Sequence, residues 1–283
     1  MASEDPHTSL ERALSEWAGG EAPGELPRRW ERFSDVAILP PGSFSGPEWA
    51  PGDGLWRAVA GALGAERLAR MGEVSGEFRE SGVEMLLGED DWAVRRENGV
   101  EYGYRMTRCM FSAGNVNERR RMGEVPVDGE VVVDLYAGIG YYTLPILVHS
   151  GASLVHACEW NPEAVMSLGW GLEANSVEDR CVVHVGDNRA TTRSLEGVAD
   201  RVLLGLLPSS EDGYESAIRV LKPGGGTLHL HGLAPSKDHA SWSSEAEGAI
   251  SRMWHGPEVG SRLTRVKSYA PHWDHVVLDV TLA

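Results

Sequence analysis

VVVDLYAGIGYYTLP, residues 131–145, is the stretch whose reading decides the fold. Val131 to Asp134 reads as a short strand, Ala137-Gly138-Ile139-Gly140 as a tight turn, and YYTLPILVHSG as the helix that follows. In an open α/β sheet, ligands bind beyond the carboxyl ends of the strands, which is where Asp134 falls. Gly138 and Gly140 let backbone approach a ligand closely. The dinucleotide fingerprint needs a third glycine where this chain has Thr143, so NAD is a weak match, and a bare G-x-G after a strand is also a common structural turn.

Outward from this stretch, strand-like runs recur at SLVHACE, CVVHVGD, DRVLLGLL and GTLHLH, separated by helix-like PEAVMSLGWGLEAN and SEDGYESAIRVLK. Alternating strand and helix predicts βαβ units and a parallel sheet. LTRVKSYAPHWDHVVLDVTL reads as two strands around Pro271, an antiparallel hairpin closing the sheet. This Rossmann-like α/β domain is expected over residues 106–283.

Residues 31–105 read as a small α+β domain. Leu55, Val59, Leu63 and Leu68 recur at helical spacing, and Asn98-Gly99 marks a hairpin turn. Residues 1–30 read as a mobile tail with one short helix at SLERALSEWA.

The 283 residues are 42% hydrophobic and 24% charged, a globular composition. The three cysteines, Cys109, Cys158 and Cys181, are widely spaced, which argues against a disulfide scaffold and for a reducing compartment. The first residues resemble neither a signal nor a transit peptide, and no apolar run reaches membrane-span length. A cytoplasmic protein without a membrane partner is expected. The net charge of −16 argues against nucleic acid when taken alone. Residues 91–125, however, carry seven arginines against five acids, and that stretch is either a solvated face or a binding face.

Two more strand ends carry acids. Glu159 ends the second strand, where a carboxylate can accept ribose hydroxyls. The third ends at Gly186-Asp187-Asn188, a pair able to meet the amino and ring-nitrogen edge of adenine. Acids at three successive strand ends suit a nucleoside without a pyrophosphate, S-adenosylmethionine being the obvious case. The competing reading is that Glu159 and Asp187 cap the helices after them.

The segments FSAGNVNERRRM, VVVDLYAGIGYYTLPILVHSGASLVHACEWNPEAV, GDNR, ADRVLLGLLPSS, LKPGGGTLHLH and VKSYAPHWDHVVLDV together resemble the tRNA wybutosine-synthesizing protein 2 family. The resemblance runs from about Met110 to the end and weakens over 233–260. It implies a class I methyltransferase-like domain behind a small N-terminal domain. It implies transfer of the 3-amino-3-carboxypropyl group of S-adenosylmethionine to 4-demethylwyosine beside the anticodon of tRNA(Phe). It also implies cofactor-binding roles for Ser112 and Arg119, with Arg119 facing the methionyl carboxylate, for Glu159 on the ribose, and for Asp187 and Asn188 beside adenine. Asp134, Gly138 and Gly140 complete the expected cofactor site.

The sulfonium of S-adenosylmethionine has three electrophilic carbons, so the product depends on which one is presented in line. Related guanine-N1 methyltransferases keep Asn-Leu-Pro after the fourth strand. This chain has Leu206-Leu207-Pro208-Ser209-Ser210 and lacks the Asn that would hold a base edge, which favours aminocarboxypropyl transfer. The alternatives are tRNA guanine-N1 methyl transfer, a cofactor-binding subunit without activity, and an NAD-dependent oxidoreductase. No side chain stands out as a catalytic base. His229-x-His231 and His272-x-x-His275 beside Asp274 read as structural histidines rather than metal ligands. A monomer is favoured, with the oligomeric state open.

Overall fold

The computed structural model describes residues 5–74, 76 and 81–283. They form two compact units, one of residues 1–95 and 103–111 and the other of 96–102 and 112–283.

The first unit begins with α1 (Pro6–Ala18). Asp5 accepts from the Thr8 amide, Pro6 sits in the first turn, and Gly19 ends the helix at φ 69°. Leu10 and Leu14, one turn apart, are fully buried in a core with Leu39, Trp49, Leu55 and Val59. The expected mobile tail over 1–30 therefore fails at α1, whose apolar stripe has a core to cover; residues 1–4 lie outside the described residues. Strands β1 (Glu31–Phe33) and β2 (Val36–Leu39), helix α2 (Asp53–Ala62), and strands β3 (Arg67–Arg70) and β4 (Glu84–Leu87) complete this unit. The sheet runs β1-β2-β3-β4, with β2 and β3 parallel and joined through α2. The helical spacing continues to Leu68 in sequence, but Gly64, at φ 64°, lies just past the end of the helix, and Leu68 is a buried residue of β3.

Strands β5 (Trp92–Glu97) and β6 (Val100–Arg105) form the expected hairpin. Asn98 (φ 51°) and Gly99 (φ 81°) supply the two positive φ angles of a type I′ turn. Residues 96–102, at this turn, belong to the second unit, so the boundary falls inside the hairpin rather than at 105/106.

The second unit continues with α3 (Val116–Glu124), β7 (Val131–Asp134), α4 (Thr143–His149), β8 (Leu154–Glu159), α5 (Pro162–Ala174) and β9 (Cys181–Val185). Then come α6 (Asn188–Thr191), β10 (Arg201–Leu204), α7 (Tyr214–Val220), β11 (Gly226–Pro235), α8 (His239–Met253), β12 (Glu258–Ala270) and β13 (Trp273–Leu282). The seven strands lie in the order β12-β13-β11-β10-β7-β8-β9. β9, β8, β7, β10 and β11 are parallel, and β13 runs antiparallel between β11 and β12. The chain moves outward from β7 through β8 and β9, then returns to β10 on the other side. The switch point is thus between β7 and β10.

Val133, Val202, Leu204, Leu228, Leu230, Leu278 and Val280 build the core from the central strands, covered by Ala217 and Val220 of α7 and Ala246 and Ile250 of α8. The expected Rossmann-like sheet and closing hairpin are both present. Helix α8 had no counterpart in the sequence reading, because only Ala246 and Ile250 of its 15 residues are buried and its apolar stripe is that thin. No helix of the described residues is long and apolar enough to cross a membrane.

Candidate functional site

The turn after β7 requires its glycines. Gly138 and Gly140 have φ angles of 56° and 93°. A Cβ on Gly138 would stand 2.6 Å from the Tyr141 ring, and one on Gly140 would stand 2.7 Å from Leu144. Asp134 is fully buried at the strand end, where its carboxylate accepts from the Thr143 hydroxyl (2.8 Å) and the Tyr136 amide (3.2 Å). Burial pushes its pKa up to about 6 against these two hydrogen bonds. Asp134 thus ties β7 to the start of α4 and shapes the turn from below.

Glu159 ends β8 and reaches back to that turn. Its carboxylate accepts from the amides of Gly138 (2.7 Å), Trp160 (2.9 Å) and Asn161 (2.8 Å). Burial raises its pKa, and the amides of Asn161, Gly138 and Trp160 oppose the rise. A carboxylate offers about four acceptor positions, so three amides fix its orientation and leave about one for a ligand hydroxyl.

Asp187 caps α6, as the competing reading expects. It accepts from the Arg189 amide (2.8 Å) and pairs with the Arg189 side chain, which holds its carboxyl below the ordinary range. Asn188 is nearly buried and donates to the Leu135 carbonyl (3.1 Å), so the third strand end is fastened to the first. The structure therefore gathers Asp134, Gly138, Gly140, Glu159 and Asn188 around one turn. The donor and acceptor set, and a turn with glycine at two of its four positions, fit a nucleoside.

On the other side, Tyr142 follows the glycine turn, and its ring lies 4.8 Å from that of His231 of β11, tilted by 36°. A Cβ on Gly205, just after β10, would lie 2.9 Å from the Tyr142 ring, so that glycine makes room for it. Arg119 of α3 is buried, and its planar fork meets a different partner from the expected carboxylate. Nε and Nη2 donate to Glu97 at 2.5 and 2.7 Å, and Nη1 donates to the Ser112 carbonyl at 3.0 Å. The Ser112 hydroxyl accepts from Lys267 of β12 at 2.6 Å. Neither Glu97 nor Lys267 stood out in the sequence: one is an acid before a hairpin turn, the other a charge in a late strand. A cavity of about 550 Å³ lined by Glu97, Tyr102, Arg119, Pro145 and His149 includes none of the strand-end acids.

The arginine-rich stretch is no uniform basic face. Arg95, Arg105, Arg119, Arg120 and Arg121 are each ion-paired, with Glu31, Asp91, Glu97, Glu124, and Glu118 with Asp279 respectively.

The histidines have structural partners. Arg201 donates to His229 Nε2 (2.7 Å), so the ring is neutral and its Nδ1 donates to Asp279 (2.6 Å). His231 and His275 meet at 3.0 Å, and burial pulls each down to about 3. Asp274 takes Arg265 and His239. His272 holds the β12–β13 turn at φ 70°. Among the described residues no cluster of three metal-ligating side chains occurs.

The loop after β10 is clamped to β11. The Leu233 amide donates to the Pro208 carbonyl (3.0 Å), the Ser210 hydroxyl donates to the His231 carbonyl (3.0 Å), and the Leu207–Pro208 peptide is cis.

Strand order, switch-point turn and strand-end acids together define a class I methyltransferase-like nucleoside-binding domain. Residues 93–245 match the TRM5/TYW2 methyltransferase domain and residues 10–91 the TYW2 N-terminal domain. The tRNA wybutosine-synthesizing protein 2 homolog of Bos taurus is 40% identical over 98% of this chain and 77% of its own length. The chain belongs to the tRNA wybutosine-synthesizing protein 2 family. The tRNA wybutosine-synthesizing protein 2/3/4 of Arabidopsis thaliana is 47% identical over 90% of this chain, which spans about a quarter (26%) of that longer protein. The crystal structure of P. horikoshii TYW2 in complex with MeSAdo is 32% identical, covers 91% of each chain, and superposes with a TM-score of 0.75.

Proposed function

We propose that this chain is a tRNA-modifying transferase that moves the 3-amino-3-carboxypropyl group of S-adenosylmethionine to 4-demethylwyosine beside the anticodon of tRNA(Phe). The single observation that carries the choice of reaction is the loop after β10. It presents Leu206-Leu207-Pro208-Ser209-Ser210, clamped to β11, and no amide side chain to hold a guanine edge for methyl transfer. Family membership supports the substrate class. The relative crystallised with MeSAdo supports the cofactor, because methylthioadenosine is what remains once the aminocarboxypropyl group has left.

In this reaction the bond from sulfur to the methionyl γ-carbon breaks, sulfur keeps the electron pair, the ring carbon forms the new carbon–carbon bond, and its proton leaves afterwards. The work of the chain is therefore orientation. Glu159, fixed by three amides, takes the ribose. Asn188 and Asp187 set the adenine side. Gly138 and Gly140 let the nucleoside lie close to the backbone. Ser112, seated through its carbonyl by Arg119, borders the methionyl side. A monomer in the cytosol suffices for these roles.

The test uses cofactor labelled in either the methyl or the carboxyl group, with tRNA(Phe) carrying the precursor base. Carboxyl label entering tRNA is the expected result. Methyl label alone would establish guanine methyl transfer instead.

A further inference from the structure

Most cations on the α3, β10 and β12 side of the second unit are paired with a carboxylate; among the described residues the exposed Arg262 and the half-buried Lys267 of β12 are not. Arg119 has Glu97, Arg121 has Glu118 and Asp279, Arg201 has Glu130, and Arg265 has Asp274. Lys267 has no carboxylate partner among the described residues. Its side chain donates from Nζ to the Ser112 hydroxyl at 2.6 Å. A half-buried ammonium without a counter-ion is costly, and burial together with the nearby Arg119 charge lowers its pKa.

The chain makes room for this lysine. A Cβ on Gly114 would fall 3.0 Å from Lys267 Cδ and 3.1 Å from Nζ, so glycine there leaves the path of the side chain open. The strand partner of Lys267 is His275, and its ring, neutral by burial, contributes no compensating charge. His275 touches His231 at 3.0 Å, and His231 carries the ring of Tyr142, two residues past Gly140. Lys267 is thereby linked by contacts to the far side of the glycine turn from Glu159.

We infer that Lys267, together with the Ser112 hydroxyl, binds the carboxylate of the aminocarboxypropyl group, and that Arg119 positions Ser112 without touching that carboxylate. An ammonium has three donors and one goes to Ser112 Oγ. Two N–H donors and the serine O–H remain for an anion. The arginine fork is already closed on Glu97, so its charge is matched and its geometry fixed. This assignment rests on the S-adenosylmethionine reading above and gives it a specificity residue: the lysine distinguishes a ligand with the amino-acid arm from one without it.

The test is calorimetric, on the full chain, with three ligands: S-adenosylmethionine, methylthioadenosine and decarboxylated S-adenosylmethionine. Lys267→Met is expected to weaken S-adenosylmethionine by about 10- to 100-fold, the usual size of a hydrogen bond to a charged group. The same variant should leave methylthioadenosine within about twofold of the wild type, the scatter of a site whose contacts are untouched, and should not weaken the decarboxylated ligand. Unchanged methylthioadenosine binding also shows that the variant is folded. Lys267→Arg should restore part of the loss. Equal weakening of S-adenosylmethionine and methylthioadenosine would make Lys267 structural and overturn the assignment, as would no change in either. A wild-type chain that binds none of the three would overturn the cofactor reading and this assignment with it, a result distinct from a variant without effect.

Discussion

At the β8 end of the site, Glu159 is held by three backbone amides from its own loop and the neighbouring turn. At the α3 end, the buried Arg119 is held by the partly buried carboxylate of Glu97 and by the Ser112 carbonyl. The first arrangement is local and redundant, and loss of one amide leaves two. The second joins residues 22 apart through both arms of one fork. The difference teaches where function and stability separate: substitutions at the β8 end should act on the ligand, and those at the α3 end on the fold.

The sharpest way to break that comparison is Glu97→Ala. It removes the carboxylate from the buried Arg119 guanidinium and should cost about 3–5 kcal/mol of stability, read from urea denaturation. A loss under about 1 kcal/mol, the size of an exposed pair, would mean that Arg119 has other support and that the two ends are alike.

Asp134 comes next. It keeps its proton to about pH 6 in the folded chain against 3.8 as a free side chain. Between those values the folded state binds more protons, so this residue makes stability fall as pH rises, with the full cost present above pH 6. Asp134→Asn should remove a slope worth at most about 3 kcal/mol over that interval. Stability curves of the two proteins that stay parallel from pH 4 to 7 would refute the burial argument.

Glu159→Ala should weaken S-adenosylmethionine and methylthioadenosine alike by about 100-fold, or about 2.7 kcal/mol, with the melting temperature little changed. Weakening confined to S-adenosylmethionine would move Glu159 from the ribose to the amino-acid arm. The smallest effect is expected for Ser112→Ala, about three- to tenfold in S-adenosylmethionine affinity, because Lys267 remains. A larger loss would place more of the anion binding on the serine.

What could be read in the chain follows the same division. Asp134, Gly138, Gly140 and Glu159 were legible because each lies within a few residues of an apolar strand, and the strand-turn-helix pattern announces its own ends. Asp187 was legible in position but ambiguous in role, since a cap and a ligand both want an acid after a strand; the structure shows it capping α6, which does not preclude the adenine side. Arg119 read as one charge in a run of three, and its burial depends on a hairpin that arrives from earlier in the chain. The histidines invited a metal by spacing, but spacing along a strand says nothing of Arg201, Asp279 or the partner ring beside them.

The sequence by itself determined the alternation of strands and helices, the glycine turn after β7, the hairpin at Asn98-Gly99 and the closing antiparallel pair. These follow from apolar period, positive-φ residues and turn chemistry acting over a few positions. Only the tertiary structure decided that α1 has a core to join, that Arg119 meets Glu97, and that Lys267 meets Ser112 across 155 residues of chain. The physical reason is that a charge in sequence carries no information about burial. Its partner, and so its role as strut or ligand, is set when the sheet order brings distant segments together.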